Sequence, residues 1–430
     1  MRTVTLAAGQ KLSNDDLHRS GALPRNVMDA AAAIVDDVRA RGDEAVREYT
    51  LRFDGSCPAG FRVPDEVVAA ARDAVDPEFL SALELAACQI EEFHGLHVAQ
   101  SWMSERANGV RLGVRVNPVA SAALYVPGGR AQYPSTVLMD SIPAKVAGVG
   151  RVIMLTPPQK DGSISPYTLA AASVAGVDEV YAVGGAQAIA AAAYGTESIP
   201  AVEKIVGPGN AYVAAAKSRV SGDVGIDMIA GPSEVCVVAD ETADPALVAI
   251  DLMAQAEHDP LATCYLVAFS QEYVDAVEAA IAEHMKQSTR ADITTASLDD
   301  QGLVVVCNDL DQALGAVNVI APEHLELHIA NPMDSLGSIR HAGAIFLGEW
   351  TPEAVGDYVA GPNHTLPTGG TARFSSPLSV EQFVKKSSII QYSPKALADD
   401  AESIMLIARH EGLWAHARSV ELRKLSLEGE

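Results

Sequence analysis

The 430-residue chain predicts an α/β protein of two Rossmann-like domains with mostly parallel sheets, preceded by a short N-terminal arm and followed by a helical C-terminal tail module. Three observations predict it. From Val114 onward, short β-branched or apolar runs alternate with Ala-rich stretches at roughly 25-residue intervals, the spacing of βαβ units. The alternation runs through two series, 125–232 and 233–377. Glycine turns (Gly128-Gly129, Gly184-Gly185 and Gly207-Pro208-Gly209) stand at the ends of the first series' strand-like runs. None spells GxGxxG, so the usual dinucleotide fingerprint is missing. Turn glycines alone would explain any one loop, but three together favour a nucleotide site, because ligands of parallel sheets sit beyond the carboxyl ends of the strands.

In order, residues 1–24 read as an extended arm ending at Pro24. Residues 25–100 carry Ala-rich helical periodicity punctuated at Gly42, Gly55 and Pro77, a scaffold that the reading joins to the second series as a domain of 25–124 with 233–377. His94 and His97, three apart, read as surface histidines. The runs ALYV, RVIML, EVYAV and KIV read as strands of a 125–232 domain. VCVVAD, CYLVAF and LVVVC read as strands of the second series, and DQALGAVNVIAPEHLEL as a helix. Between them, Asp244 to Pro260 reads as a helix that buries Leu247, Ile250 and Ala254 and stops after His258, since Pro260 disfavours the α region at Asp259. Residues 378–430 read as the helical tail, including SVEQFVKKSSIIQYS.

Composition narrows the classes. A 48% hydrophobic and 20% charged chain folds. A formal charge of −25 repels phosphate backbones and anionic lipid, so nucleic acid and membrane partners are not expected. Cys57, Cys88, Cys236, Cys264 and Cys307 form no CxxC pair, which fits a reducing, cytoplasmic setting. Cys236 and Cys264 lie in apolar strand-like runs and read as core thiols, against a cysteine-thioester aldehyde dehydrogenase.

Four islands combine metal-binding or proton-transferring residues with turns: Gln255 and His258 in QAEHDP, Glu323 and His324 in APEHLEL, Asp357 in GDYVAGPNHTLPT, and Glu411 with His416 in HEGLWAH. Gln255, His258, Asp357 and His416 can supply a thiolate-free N/O shell, of the kind that also handles substrate and accepts zinc or manganese. Glu323 and His324 offer an acid/base pair. His364 reads as a loop residue or a pocket wall.

QAEHDP, APEHLEL, GDYVAGPNHTLPTGGTARFSS, GPGN, AGPSEV and YVPGG together resemble the histidinol dehydrogenase family, over essentially the whole chain. The resemblance implies zinc, one per subunit, on Gln255, His258, Asp357 and His416, and Glu323 and His324 as general acid and base. It implies substrate contacts from Ser233, Gln255, His258, His324, Asp357, Glu411 and His416. It implies NAD held by Tyr125, Gln187 and Asn210, although those amides also suit helix caps and Tyr125 a packed strand. It further implies oxidation of L-histidinol through L-histidinal to L-histidine, by a homodimer with intertwined C-terminal tails whose Glu411 and His416 enter the partner's site. A zinc hydrolase with Glu323 activating water, or a silent binder of histidinol or nucleotide, are the rival classes; NAD reduction by histidinol separates the first reading from both.

Overall fold

Where apolar runs alternate with Ala-rich stretches, the chain forms strands and helices in that order. The structure, a computed structural model, describes residues 1–17, 23–128 and 132–428, so part of the predicted arm and Gly129 of the first glycine turn lie outside the described residues. Its strands are β1 (Arg2–Thr5), β2 (Trp102–Glu105), β3 (Arg111–Pro118), β4 (Ser121–Tyr125), β5 (Arg151–Thr156), β6 (Glu179–Ala182) and β7 (Lys204–Val206). There follow β8 (Gly225–Ile226), β9 (Glu234–Ala239), β10 (Thr263–Ala268), β11 (Leu303–Val306), β12 (His324–His328), β13 (Ala344–Leu347) and β14 (Val384–Gln391). Among the described residues they form a parallel sheet ordered β6-β5-β4-β7-β8, a parallel sheet ordered β1-β11-β10-β9-β12-β13, and an antiparallel sheet β14-β3-β2. The predicted α/β class with mostly parallel sheets is therefore the observed one.

The chain divides into two compact units. One joins Met1–His97 to Val119–Phe383 and holds both parallel sheets; the other joins Val98–Pro118 to the chain from Val384 onward. In the larger unit, β9, β11 and β12 are buried along their whole length and β10 from Cys264 onward, as strands covered on both faces must be. The arm contributes β1, which extends the six-stranded sheet by pairing with β11. In the smaller unit, the helices Pro394–His410 and Trp414–Glu428 pack through Ala401, Met405, Ala408 and Ala417.

Several local expectations change. The scaffold helix Arg25–Arg41 buries Val27, Ile34, Val35 and Val38 with Ala123, Ile153 and Ile205 of the five-stranded sheet, not with the 233–377 series it was grouped with. β4 also straddles the expected 124/125 boundary. The stretch read as the first part of a helical tail contains β14, whose Ile389 and Ile390 pair with Gly113 and Leu112 of β3; its β-branched residues have a neighbouring edge to join. The helix predicted through APEHLEL stops at Ile320. Pro322 disfavours the α region at Ala321, which turns left-handed at φ 46°, and HLELH becomes the interior strand β12. His94 is not a surface residue: it is 1% exposed, because the ring faces inward from the helix Pro77–Gly95.

Candidate active site

The helix Pro245–Ala256 begins with an Asp244 cap that accepts the Ala246 N–H, and it ends two residues earlier than Pro260 alone suggests. Its buried face is Val248, Leu252, Gln255 and Ala256, whereas Leu247 and Ile250 are exposed, reversing the expected orientation. The reversal puts Gln255 inside at 1% exposure. His258 is exposed in the following turn, and its Nδ1 lies 3.4 Å from Gln255 Nε2.

Gln255 and His258 line a cavity of about 910 Å³ together with Ser233, Glu323, His324 and Asp357. Five-stranded-sheet loops contribute Gly128, Pro208, Gly209 and Asn210, at the expected carboxyl ends of β4 and β7. In the six-stranded sheet the rule is inverted: Ser233 precedes β9 and Glu323 precedes β12, so the site meets that sheet at its amino ends. Strand-end N–H groups suit acceptors there, and Glu323 Oε2 accepts the Glu234 N–H at 2.9 Å. The Gly207 turn requires glycine: φ is +107° and a Cβ would stand 2.3 Å from the Tyr125 carbonyl oxygen. That turn is held by Asp227, which accepts the Gly207 N–H at 2.8 Å, and by the buried Lys217, which donates to the Gly207 carbonyl at 2.8 Å and pairs with Asp227.

Burial shifts Glu323 and His324 in opposite directions. Burial pushes the Glu323 carboxyl well above its usual range, opposed by the Glu234 N–H and the Ser233 hydroxyl and reinforced by the Glu234 and Asp357 charges. Burial pushes His324 down, against the pull of Asp357 and the Glu234 carbonyl. His324 Nδ1 is 3.3 Å from that carbonyl, so it carries the proton and donates; Nε2, buried and without a protein partner, keeps its lone pair. Nε2 stands 3.8 Å from Asp357 Oδ1. Gln255 Oε1 is likewise buried without a partner, and an N/O-seeking cation held with His258 and Asp357 is what those residues fit.

Two wall residues went unpredicted or only half predicted. Glu353, buried in the short helix Glu353–Tyr358, has Oε1 3.8 Å from His324 Nδ1, and burial followed by the Asp357, Glu326 and Glu323 charges raises its carboxyl well above the usual range. Its one sequence signal was its place a helical turn before Asp357. His364 lines the cavity, with Nδ1 3.1 Å from the Asp357 carbonyl oxygen and Nε2 3.3 Å from Thr136 Oγ1.

The remaining predicted residues stand elsewhere. Tyr125 ends β4 with its hydroxyl accepting the Gly185 N–H at 3.0 Å, and neither it nor Gln187 lines the cavity. Gln187 is fully buried, with both amide atoms lacking a protein partner. Asn210 lines the cavity while capping the helix Ala211–Val220 through the Tyr212 and Val213 N–H groups. Glu411 and His416 belong to the smaller unit, both exposed, at the end of one tail helix and the start of the next. Cys236 and Cys264 are buried thiols, and Cys264 donates to the Leu252 carbonyl at 3.3 Å.

Two parallel sheets around a cavity walled by a buried carboxyl and a buried imidazole define an α/β protein whose site can exchange protons. Its particular chemistry comes from its relatives. The family model described as histidinol dehydrogenase matches residues 17–424. The histidinol dehydrogenase of Bacillus subtilis (strain 168) is 50% identical over 425 residues, covering 99% of each chain. That of Geobacillus kaustophilus (strain HTA426) is 51% identical over 394 residues, covering 92% of this chain and 93% of the relative. The solved histidinol dehydrogenase from Elizabethkingia anophelis superposes with a TM-score of 0.94 at 35% identity, covering 100% of this chain and 99% of that one. The chain belongs to the histidinol dehydrogenase family and is an oxidoreductase of histidine biosynthesis.

Proposed function

We propose that this enzyme oxidises L-histidinol in two steps, through L-histidinal to L-histidine, consuming two NAD and one water. The observation that carries the reading is the convergence of Gln255, His258, Glu323, His324 and Asp357 on one cavity, where Gln255 Oε1 and His324 Nε2 are buried without partners. Zinc on Gln255, His258 and Asp357 with the partner's His416 would orient the substrate's imidazole and amine, and NAD at Tyr125, Gln187 and Asn210 would accept the hydrides.

His324 takes the hydroxyl proton at Nε2 in the first oxidation, and the hydrate's proton in the second. Glu323 takes a proton from the water that hydrates the aldehyde; its raised carboxyl makes it a stronger base once ionised. Ser233 borders the substrate and donates to Glu323. Keeping histidinal enclosed protects it from amines. In this reading residues 125–232 serve NAD, 233–377 supply most metal and catalytic groups, and 378–430 serve dimerisation after an arm of 1–24. The enzyme works as a cytoplasmic homodimer in which the partner's Glu411 and the partner's His416 complete each site. Exposed Leu406, Ile407, Trp414, Leu422 and Leu425 on the tail helices, with Leu413 in the turn between them, support a partner there. Among the described residues, no helix is long and apolar enough to cross a membrane.

The test is NADH formation with histidinol and NAD. Two NADH per histidinol, lost on chelation and restored by zinc, is the expected result; none from zinc-loaded enzyme refutes the reading.

A further inference from the structure

β12 carries three ionisable side chains on one face, His324, Glu326 and His328, because alternate residues of a strand point the same way. Only the first belongs to the cavity wall. Glu326 is fully buried and His328 is 3% exposed, in the interior of a parallel sheet where charge is costly. Both are paired. Glu326 Oε2 lies 3.2 Å from His328 Nε2, and the same nitrogen lies 3.5 Å from Asp251 Oδ2. The other oxygen, Glu326 Oε1, accepts the backbone N–H of Glu353 at 2.7 Å. That N–H is among the first of the helix Glu353–Tyr358, where intrahelical acceptors are lacking.

The cluster therefore ties together three elements that each supply a site residue. Asp251 lies on the Gln255 helix one turn before Gln255, Glu326 and His328 lie on the His324 strand, and Glu353 opens the helix that carries Asp357. A helix of six residues holds its place by tertiary contacts and not by its own propensity.

We propose that Glu326, braced by His328 and Asp251, is a positioning residue that fixes the Glu353–Tyr358 helix and so sets Asp357 against His324 and the Gln255 helix. The proposal rests on Asp357 and Gln255 being metal ligands. Glu326 stands outside the cavity wall and reaches the site through the Glu353 N–H. Glutamine at 326 keeps an oxygen for that N–H; alanine does not.

The test compares wild type, Glu326→Gln and Glu326→Ala by zinc competition with a chromophoric chelator and by hydrogen exchange of the 353–358 amides. In Glu326→Ala, zinc affinity falls about 10-fold to 100-fold. The 353–358 amides also exchange at least about 10-fold faster than in wild type, while sheet amides of β9 and β10 keep their protection. Glu326→Gln recovers most of both. If Glu326→Ala lowers the melting temperature but leaves zinc affinity and 353–358 exchange unchanged, the residue is merely structural and the proposal fails. It also fails if glutamine behaves as alanine. Should the alanine variant not fold, His328→Gln and Asp251→Asn, which remove the brace and leave Glu326, are read by the same two measurements. Wild-type protein that binds no zinc would overturn the ligand assignment itself, and the exchange data would then decide the anchor separately.

Discussion

At the residue scale, division of labour follows from where each group's proton is held. His324 has its Nδ1 proton committed to the Glu234 carbonyl, and burial keeps the ring neutral, so Nε2 is the basic atom. His324→Asn should lower kcat by about 10²-fold to 10⁴-fold while zinc content and fold are retained, as checked by NADH formation and metal analysis. Turnover within a few fold of wild type would remove His324 from the base role. In the proposed mechanism Glu323 enters only when water must add to the aldehyde. Glu323→Gln, which keeps an acceptor for the Glu234 N–H, should therefore still yield the first NADH but lose the second, so the stoichiometry falls from two toward one. Two NADH at the wild-type rate would assign hydration to another group. Of these residues, the Glu323-His324 pair, Gln255, His258 and Asp357 stood out in the sequence as islands of metal-binding and proton-transferring types, and the family resemblance alone suggested their roles. Glu353 was not, since a glutamate at a helix start looks like an ordinary dipole partner until its neighbours are seen.

At the element scale, burial decided what periodicity could not. The Gln255 helix has apolar residues on more than one face, so Leu247 and Ile250 suggested one inward orientation and the packing of Val248 and Leu252 imposed another. HLELH alternates like a strand, yet its helix-like prefix ran into it, and only Pro322 marked the break. His94 shows the same limit with a thermodynamic consequence. Burial, with a smaller contribution from His97, pushes its imidazole down to about 4. The unfolded chain then binds the proton more readily than the folded one, so the stability is present above about pH 6.5 and is lost as pH falls toward 4. After discounting for solvent screening, the loss is on the order of 2 kcal/mol. A His94→Leu variant, which takes up no proton, should show a flatter fall in urea midpoint between pH 7 and 4.5; curves parallel to wild type would place the acid sensitivity elsewhere.

For the whole molecule, the tail's role is open to a complementation test. If tails are exchanged, a dimer of one His324→Asn chain and one His416→Ala chain contains one doubly damaged site and one intact site. Co-refolding equal amounts of the two inactive variants should restore about a quarter of wild-type activity, since half the dimers are mixed and each has one working site of two. No recovery, with mixed dimers confirmed by mass, would mean that each chain uses its own His416.

The sequence by itself determined the α/β class and the chemistry on offer. Strand and helix periods are local, and so are the residue types that bind cations or move protons. The tertiary structure decided which residues meet. It inverted the site onto the amino ends of β9 and β12, packed the N-terminal scaffold on the five-stranded sheet, and drew Glu353 to His324. Those outcomes depend on contacts between segments far apart in the chain, and on the burial that shifts Glu323 and His324 in opposite directions, neither of which any local pattern encodes.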